Sequence, residues 1–483
     1  MTDILVIGGG PTGLLLASEL KLAGAEPLVL EAAADGAARR RRSFGMRGIN
    51  GRSGQSLALR GLDGPVGDAQ RAMFGRLAVS RGSDDEDVVD GLLKMMEEGK
   101  ARGHFAGLPL VSDTPAVGRG FLLQQHLLEQ VLAERAEQLG VRIWSGCEVV
   151  DVIDDGTSVT AMLADGRSVR ASYLVGCDGG RSVVRKSAGI DFVGTDATMT
   201  GRTAAATLAD PSMIKSSLRS PGGLVNLSMV PGEIATIEFT GGPADRHAPL
   251  TAAEMQDSIR RASGNPGVVL TSFDGGVRYS DNTRQAATYR LGRILLAGDA
   301  AHVHSPIGGQ GLNLGLQDAM NLGWKLGLVV RGMASDALLD TYTTERHRVG
   351  EWVLRNTRAQ VALMRPGPQV DALRDVLSEV FPTPGVKRHF IALANGTEID
   401  YSPSDDSLVG RFAPSRSLTS GRGLLVGPFS LSGYEDRVET CFGAAGMLVR
   451  PDGYVAWVSP DGGSTGLAEA LDSWFGVPAA RAA

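Results

Sequence analysis

The first thirty residues alternate between apolar runs and a glycine-rich turn. Thr2 to Ile7 is an apolar, β-branched run that predicts a short buried strand. Leu14 to Leu22 predicts a helix, and Glu26 to Leu30 predicts a second buried strand. The order strand, turn, helix, strand within about thirty residues is typical of a βαβ unit in a parallel sheet.

Between residues 190 and 285 the pattern changes to strands separated by Pro and Gly turns. Strands are predicted at Gly201–Leu208, Leu224–Pro231 and Ile234–Thr240, and a helix at Ala252–Ala262. This change of pattern indicates a second, sheet-rich domain inserted into the first.

The last third of the chain is predicted to begin with long helices. Helices are expected at 318–332 and 335–364, and Pro366 to Ala394 is expected to be a linker with one helix. Residues from about 405 onward have the pattern of a separate small unit.

Composition excludes several classes of protein. The chain has 483 residues, of which 43% are hydrophobic and 21% charged, which is typical of an ordinary soluble protein. The net charge of −6 argues against nucleic acid as a partner. The three cysteines form no CxxC pair and no metal spacing, so reduced thiols and a cytoplasmic location are expected, with no metal and no membrane segment.

The turn after the first strand carries a dinucleotide fingerprint. Gly8, Gly10 and Gly13 form G-x-G-x-x-G, with Pro11 and Thr12 between them. Glycines let a pyrophosphate approach the start of the following helix, where N–H groups are unpaired. The acidic residue that ends the second strand, Glu31, is placed to bind ribose hydroxyls.

A second glycine-rich stretch, ILLAGDAAHVHSPIGGQGLNLG, leads from an apolar strand into a helix. Asp299, after Gly298 at the strand end, is placed to accept a hydrogen bond from a sugar or ribityl hydroxyl. The helix start presents N–H groups and a partial positive charge, which would stabilise a developing anion such as that of a reduced flavin. The bland alternative is an ordinary strand, loop and helix. The candidate residues of the loop and helix start are Pro306, Gly309, Gln310, Gly311, Leu312 and Asn313.

Three motifs in this order resemble the class A flavoprotein aromatic hydroxylases of the para-hydroxybenzoate hydroxylase type. They are GxGxxG, CDGGRSVVR with Asp178, and GDAAHxxxPxGGQGLNxGxxDAxNLxWKL. The likeness is greatest to the subgroup acting on aromatic polyketides and antibiotics, such as anhydrotetracycline and angucycline hydroxylases and rifampicin monooxygenase. The resemblance implies FAD, transient NADPH or NADH, and O2 reacting through a flavin C4a-hydroperoxide that hydroxylates an aromatic substrate. The backbone of Gly311, Leu312 and Asn313 would stabilise the reduced flavin.

The resemblance also assigns further residues to FAD. Asp178 belongs to the motif that contacts FAD. An arginine in an R-x-x-G context is expected beside the flavin; Arg42 fits it, and Arg47 is a competing register. Gln124 matches a glutamine at a strand-to-helix junction, although a simple helix-start role remains an alternative. His302 and His304, two residues apart in a loop, are expected to be structural.

The implied fold is α/β: a Rossmann-like FAD-binding domain, an interleaved substrate-binding sheet and a small thioredoxin-like C-terminal domain without CxxC. A homodimer is one option for that domain. Baeyer–Villiger oxygenation, or a non-catalytic flavin-binding partner in a biosynthetic complex, are the alternatives. The domain boundaries are 1–190 with part of the substrate cavity at 64–118, 191–285, 286–395 for completion of the FAD domain, and 396–483.

Overall fold

A six-stranded sheet combines four strands from residues 4–176 with two strands from residues 290–296. The computed structural model describes residues 2–35, 44–80, 101–111, 118–215, 217–227, 232–245, 248–402, 408–413, 417–443, 446–459 and 462–478. The sheet has the spatial order Arg290–Leu291, Ile294–Leu296, Tyr173–Gly176, Ile4–Ile7, Pro27–Glu31 and Arg142–Ser145. All neighbours pair in parallel except the edge strand Arg290–Leu291. The predicted α/β fold is confirmed, and the fully buried strand Ile4–Ile7 lies at its centre.

The helices mostly start and end close to the predicted limits. They span Pro11–Leu22, Gly51–Leu59, Asp63–Ser80, Gln125–Gln138, Val183–Ser187, Ala252–Ser263, Gly311–Val330, Ala337–Met364, Pro368–Val380, Pro384–Asn395 and Leu467–Phe475. The prediction of one helix in the linker was wrong, because the structure has two. Pro368 and Pro384 each stand at a helix start, where the missing N–H of proline is no loss.

Glycines bring two of these helices unusually close together. Pro11–Leu22 packs along Gly311–Val330. A Cβ added at Gly323 would lie 2.4 Å from Glu19 Cβ, and one added at Gly327 would lie 2.4 Å from Ala23 Cβ. These separations are too short for any side chain, so the helix contact depends on backbone-to-side-chain packing.

The inserted region forms antiparallel sheets, as its alternating pattern predicts. A five-stranded sheet has the order Ser217–Ser220, Gly223–Leu227, Glu233–Glu238, Thr200–Leu208 and Leu270–Ser280. Met255 and Ile259 of the helix Ala252–Ser263 are buried in the core of this sheet. One three-stranded sheet consists of Phe192–Thr195, Thr283–Ala286 and His302–Val303. Another consists of Val149–Asp154, Val159–Leu163 and Ser168–Ala171. Two strand pairs join Met46–Ile49 to Phe121–Gln124, and Ala101–Phe105 to Leu108–Val111.

The C-terminal unit is a small sheet joined to the long helices by buried charges. Its strand order is Val438–Cys441, Gly423–Val426, Met447–Val449 and Val455–Val458. The Arg450 guanidinium lies 2.5 Å from Glu345 Oε1, and Lys325 Nζ lies 2.7 Å from Glu345 Oε2. Because these charges are removed from water, the attraction between the partners must offset the desolvation cost of each.

The part of the chain that the structure describes carries neither a membrane-spanning helix nor a metal-binding cluster. None of its helices has both the length and the apolar character needed to cross a membrane. No group of three or more His, Cys, Asp or Glu side chains within the described ranges is arranged to hold a metal ion.

Candidate cofactor and active site

A cavity of about 800 Å³ lies at the carboxyl ends of the central parallel strands. This is where α/β sheets bind ligands, because the strand ends and the following helix starts converge there. The predicted site residues that line it are Gly8, Gly10, Pro11, Thr12, Glu31, Asp178, Asp299, Pro306, Gly309, Gly311 and Leu312. Both glycine-rich stretches and the CDGG motif are thus brought to one cavity.

The first glycine turn is shaped by close backbone approach. Gly8 has φ of +106°, and a Cβ there would lie 2.4 Å from the Cys177 carbonyl oxygen. A Cβ on Gly13 would lie 2.0 Å from the Gly8 carbonyl oxygen, so Gly13 serves helix packing and does not line the cavity. Gly10 has open space on its cavity side. The first bond of the helix runs from Leu14 N–H to Gly10, which leaves earlier N–H groups for a ligand.

Glu31 both fixes this turn and faces the cavity. Gly9 N–H donates to Glu31 Oε2 at 2.7 Å, and Ala33 N–H donates to Oε1 at 3.0 Å. The carboxylate is therefore held rigidly at the cavity wall. Its remaining lone pairs fit the hydroxyl groups of a ribose.

Asp178 has one oxygen in use and one oxygen spare. Its Oδ2 accepts from Val183 N–H at 2.7 Å and from Val184 N–H at 3.2 Å, which caps the short helix Val183–Ser187. Its Oδ1 is buried and has no hydrogen-bond partner among the described residues. A buried acceptor without a donor is costly, so this oxygen fits a ligand hydroxyl.

Asp299 lies in the 3₁₀ turn Gly298–Ala300 and lines the cavity. In the described part of the structure no group donates a hydrogen bond to its carboxylate. Burial raises the pKa of the Asp299 carboxyl, whereas His302 and Arg47 lower it and Asp318 raises it further; the net direction is upward. Gly298 itself does not line the cavity, because it packs with Thr12 Oγ1 2.8 Å from the position of a Cβ.

The start of the helix Gly311–Val330 presents free donors to the cavity. Its first intrahelical bond runs from Leu314 N–H to Gln310 O, at 3.0 Å. The N–H groups of Gly311, Leu312 and Asn313 have no acceptor among the described residues, as expected for a helix start.

The side chains of two predicted residues of this stretch form hydrogen bonds within the scaffold. The Asn313 side chain accepts from Asn50 N–H at 2.9 Å and donates to Gly48 O at 2.8 Å, so it ties the helix start to a neighbouring strand. Gln310 is buried and donates to Leu393 O at 3.4 Å. Neither side chain lines the cavity.

Gln124 stays a prediction for the cofactor site, and Arg42 lies outside the described residues. Gln124 ends a strand and does not line the cavity, whereas its neighbour Gln125 does. Arg47, the competing register, also lines the cavity, and its Nε donates to Gln125 Oε1 at 3.1 Å. Burial lowers the pKa of Arg47, while Glu233, Tyr279 and Asp299 raise it.

The two histidines differ in their surroundings. His302 is fully buried, and its Nε2 lies 2.6 Å from Asp318 Oδ2, away from the cavity wall. His304 lines the cavity, a role that the sequence reading missed because a histidine in a loop carries no distinguishing signal.

An apolar cluster separates the cavity loop from the five-stranded sheet. Ile307, of the same loop as Pro306, packs there with side chains of the sheet and of the helix Ala337–Met364. The other members are Met199, Val361, Ile237, Phe239, Tyr279 and Met364. This cluster marks the place where the second domain meets the loop after Asp299.

Comparison with known proteins identifies the family. A profile described as "FAD binding domain" matches residues 1–357, and one described as "Aromatic-ring hydroxylase, C-terminal" matches residues 426–478. The chain belongs to the FAD-dependent aromatic-ring hydroxylases.

Three relatives illustrate the range of this family. Rifampicin monooxygenase of Streptomyces venezuelae is 36% identical over 99% of this chain and 100% of its own length. The OxyS anhydrotetracycline hydroxylase from Streptomyces rimosus has a structure that superposes with a TM-score of 0.83, at 34% identity and 99% coverage of both chains. Dialkyldecalin synthase of Streptomyces rugosporus is 35% identical over 99% of this chain and 100% of its own length.

The cavity fits the FAD of this hydroxylase family. The unpaired Asp178 Oδ1, the Asp299 carboxylate and Glu31 would supply acceptors for the hydroxyl groups of FAD. The helix starts at Pro11 and Gly311 supply N–H donors for its anionic or electron-rich parts. Arg47 and Gln125 add polar groups between them.

Proposed function

We propose that this hydroxylase uses NAD(P)H and O2 to add one oxygen atom to an aromatic polyketide or a related phenolic antibiotic. The observation that carries the proposal is the convergence of GxGxxG, Asp178 and the Gly311 helix start on one cavity beside an inserted sheet. In the overall reaction, substrate, O2, NAD(P)H and a proton give hydroxylated product, water and NAD(P)+.

The bound and reduced FAD supplies the oxygen chemistry, and the chain supplies binding, orientation and exclusion of water. The Gly8–Gly13 turn and Glu31 hold the adenosine diphosphate half, and Asp299 binds the ribityl chain. The N–H groups at Gly311, Leu312 and Asn313 would hold the pyrimidine end of the flavin and would stabilise negative charge there when the cofactor is reduced. Asp178 accepts a hydrogen bond from a hydroxyl of the same cofactor.

The apolar cluster around Ile307 supports a site for a large planar substrate. Methionine and aromatic side chains give an adaptable wall, and the inserted sheet covers it. None of the side chains of this cluster lines the cavity of the dinucleotide turn, so the ring substrate and the adenosine would occupy different places. The NAD(P)H reductant would dock transiently, since the sequence has no second GxGxxG with its βαβ context.

The C-terminal unit has a structural part in this proposal. We infer a thioredoxin-like fold without thiol chemistry, because Cys441 has no CxxC partner in the sequence. Arg450 and Glu345 join this unit to the long helix Ala337–Met364 and so hold it against the FAD domain. A homodimer through this unit would be detected by the mass of the purified protein in solution.

The relative named dialkyldecalin synthase supports a second candidate, in which FAD is retained but no substrate is oxygenated. Labelled dioxygen distinguishes the two. The FAD-loaded protein is incubated with NADPH or NADH and a panel of aromatic polyketides, and the products are analysed by mass spectrometry. We expect substrate to accelerate NAD(P)H oxidation and one labelled oxygen to enter the product.

Two results would count against hydroxylation. Label found only in water and peroxide for every substrate would contradict any monooxygenase. Label inserted between two carbon atoms, giving an ester or lactone in place of a phenol, would indicate Baeyer–Villiger oxygenation on the same scaffold.

A further inference from the structure

His304 has one ring nitrogen in use and one without a partner. Its Nδ1 lies 2.7 Å from the Ser305 carbonyl oxygen, and because a carbonyl only accepts, Nδ1 carries the hydrogen. Nε2 is then a lone-pair acceptor. This atom is buried and has no hydrogen-bond partner among the described residues. A buried acceptor of this kind is costly unless a ligand brings a donor to it.

The imidazole is held in its neutral form. Burial lowers the pKa of His304 to about 4; the bond to Ser305 O acts in the opposite direction, and His302 lowers the pKa further. At neutral pH the ring is therefore uncharged, and Nε2 accepts hydrogen bonds and does not donate them.

The position of His304 suggests what kind of donor it meets. The imidazole lines the cavity, and Nε2 lies 3.3 Å from the point where a Cβ on Gly311 would stand. Gly311 and Leu312, whose N–H groups are unpaired, line the same cavity. One acceptor next to several donors matches a ligand edge in which an N–H adjoins a carbonyl oxygen, as in an imide.

The loop places His304 and Ile307 in different surroundings. Ile307, three residues after His304, packs into the apolar cluster with Met199 and Val361. His304 is not a member of that cluster and lines the cavity of the dinucleotide turn instead. The ligand that best accounts for the His304 acceptor is therefore the one that fills this cavity.

We propose that His304 Nε2 accepts the hydrogen bond of the imide N–H of the FAD isoalloxazine ring. The adjoining carbonyl oxygen is held by the N–H groups at the start of the helix Gly311–Val330. The inference rests on the proposed FAD function and assigns to it a cofactor-binding side chain. His304 thus satisfies its own buried lone pair and fixes the position of the pyrimidine ring.

The test compares three cofactors across matched variants. Apoprotein prepared from the holoenzyme is titrated with FAD, with N3-methyl-FAD, which lacks the imide N–H, and with an FAD lacking the ribityl 2′-hydroxyl. His304→Ala removes the acceptor, and His304→Gln keeps an acceptor at a similar reach. His389→Phe is the control, because His389 is an exposed residue paired with Glu398. His304→Phe serves as the acceptor-free variant if circular dichroism shows that the alanine variant has lost its fold.

We expect the wild-type chain to bind FAD about fivefold or more tightly than N3-methyl-FAD, the worth of one neutral hydrogen bond. That preference should fall to below about twofold in His304→Ala and persist in His304→Gln and His389→Phe. In the FAD-loaded proteins, the proton NMR shift of the imide N–H should move upfield in His304→Ala and be largely retained in His304→Gln. This shift reports the hydrogen bond itself and separates it from a steric effect of the methyl group.

Each other outcome has a definite meaning. An unchanged preference and an unchanged imide N–H shift in His304→Ala would overturn the inference while leaving FAD function intact. His304→Ala could instead change only the preference for FAD over the analogue lacking the ribityl 2′-hydroxyl. That result would overturn the inference as well, since the partner of His304 would then be a hydroxyl of the ribityl chain. Failure of the wild-type chain to bind FAD at all would contradict the proposed function itself.

Discussion

The Asp318 carboxylate and the Arg346 guanidinium form a fully buried ion pair behind the cofactor turn, with 2.7 Å between Oδ1 and Nε. The other carboxylate oxygen accepts from Gly298 N–H at 3.0 Å and lies 2.6 Å from His302 Nε2. Burial alone would raise the pKa of Asp318, but His302 and Arg346 lower it on balance. One carboxylate thus connects the turn before Asp299 to both long helices.

Asp318→Asn should destabilise the protein by about 3–5 kcal/mol, because the Arg346 charge would remain buried without the carboxylate of Asp318. Chemical denaturation followed by circular dichroism measures this free energy of unfolding. Asp340→Asn is the matched control: Asp340 pairs with Arg290 at 2.8 Å on the surface, so its loss should cost less than about 1 kcal/mol. Equal effects of the two changes would refute the central role of Asp318.

Asp299→Ala should weaken FAD binding about tenfold or more, because a hydrogen bond between a carboxylate and a cofactor hydroxyl is lost. The measurement is a titration of apoprotein with FAD. Asp210→Ala serves as the control, since Asp210 caps a short 3₁₀ helix away from the cavity. An FAD affinity equal to that of the wild-type chain would remove Asp299 from the site.

Gly311→Val should make bound FAD harder to reduce. A side chain at Gly311 would meet both the cavity and the His304 ring, whose Nε2 lies 3.3 Å from the Cβ position, and would push the flavin from its N–H donors. Loss of one donor, about 2.7 kcal/mol, corresponds to about 60 mV for two electrons. Spectroelectrochemistry of the folded, FAD-loaded variant measures this, with Gly75→Val on an exposed helix as control. An unchanged potential would contradict electrostatic stabilisation by this helix start.

Gly327→Ala should destabilise the protein by about 1–3 kcal/mol even though alanine favours helices. The added Cβ would lie 2.4 Å from Ala23 Cβ, and the two helices would have to separate. Gly75→Ala has no atom within 4 Å of the new Cβ and should instead stabilise by up to about 1 kcal/mol. Thermal unfolding of both variants tests whether the two changes in stability have opposite signs. A stabilising Gly327→Ala would mean that the helices are not in close contact.

The stability of the apoprotein should fall with acid partly through His304. Burial gives His304 a folded pKa of about 4, below the ordinary value of 6.5, so the unfolded chain binds a proton first as pH falls. No stability is lost through His304 above about pH 6.5, and the loss grows as the pH falls towards 4. At pH 5 the loss of free energy of unfolding is about 1–2 kcal/mol. Denaturation at pH 7.5 and pH 5 should show a smaller difference for His304→Gln than for the wild-type chain. An identical difference would mean that His304 titrates normally.

Local spacing was sufficient to predict the dinucleotide turn. Gly8 and Gly13 were identified from the motif alone because their roles arise within one strand–turn–helix unit, where a side chain would meet backbone atoms. The same holds for Asp299, which follows directly from a strand end. In contrast, spacing did not indicate that Gln125, and not Gln124, lines the cavity, because the direction of a side chain at a strand-to-helix junction depends on the packing of both elements.

The sequence by itself determined the α/β class, the order of the motifs, the family and the two glycine-rich helix starts, because these depend on residue types at short separations. Only the tertiary structure decided which polar side chains line the cavity and which hold the scaffold. Asn313 ties to Gly48 across 265 positions, and Arg346 reaches Asp318 from another helix. The burial of His304 Nε2 without a hydrogen-bond partner among the described residues also arises only from tertiary packing. A hydrogen bond between distant segments leaves no periodic pattern in the sequence, and its partner is fixed only when the chain has folded.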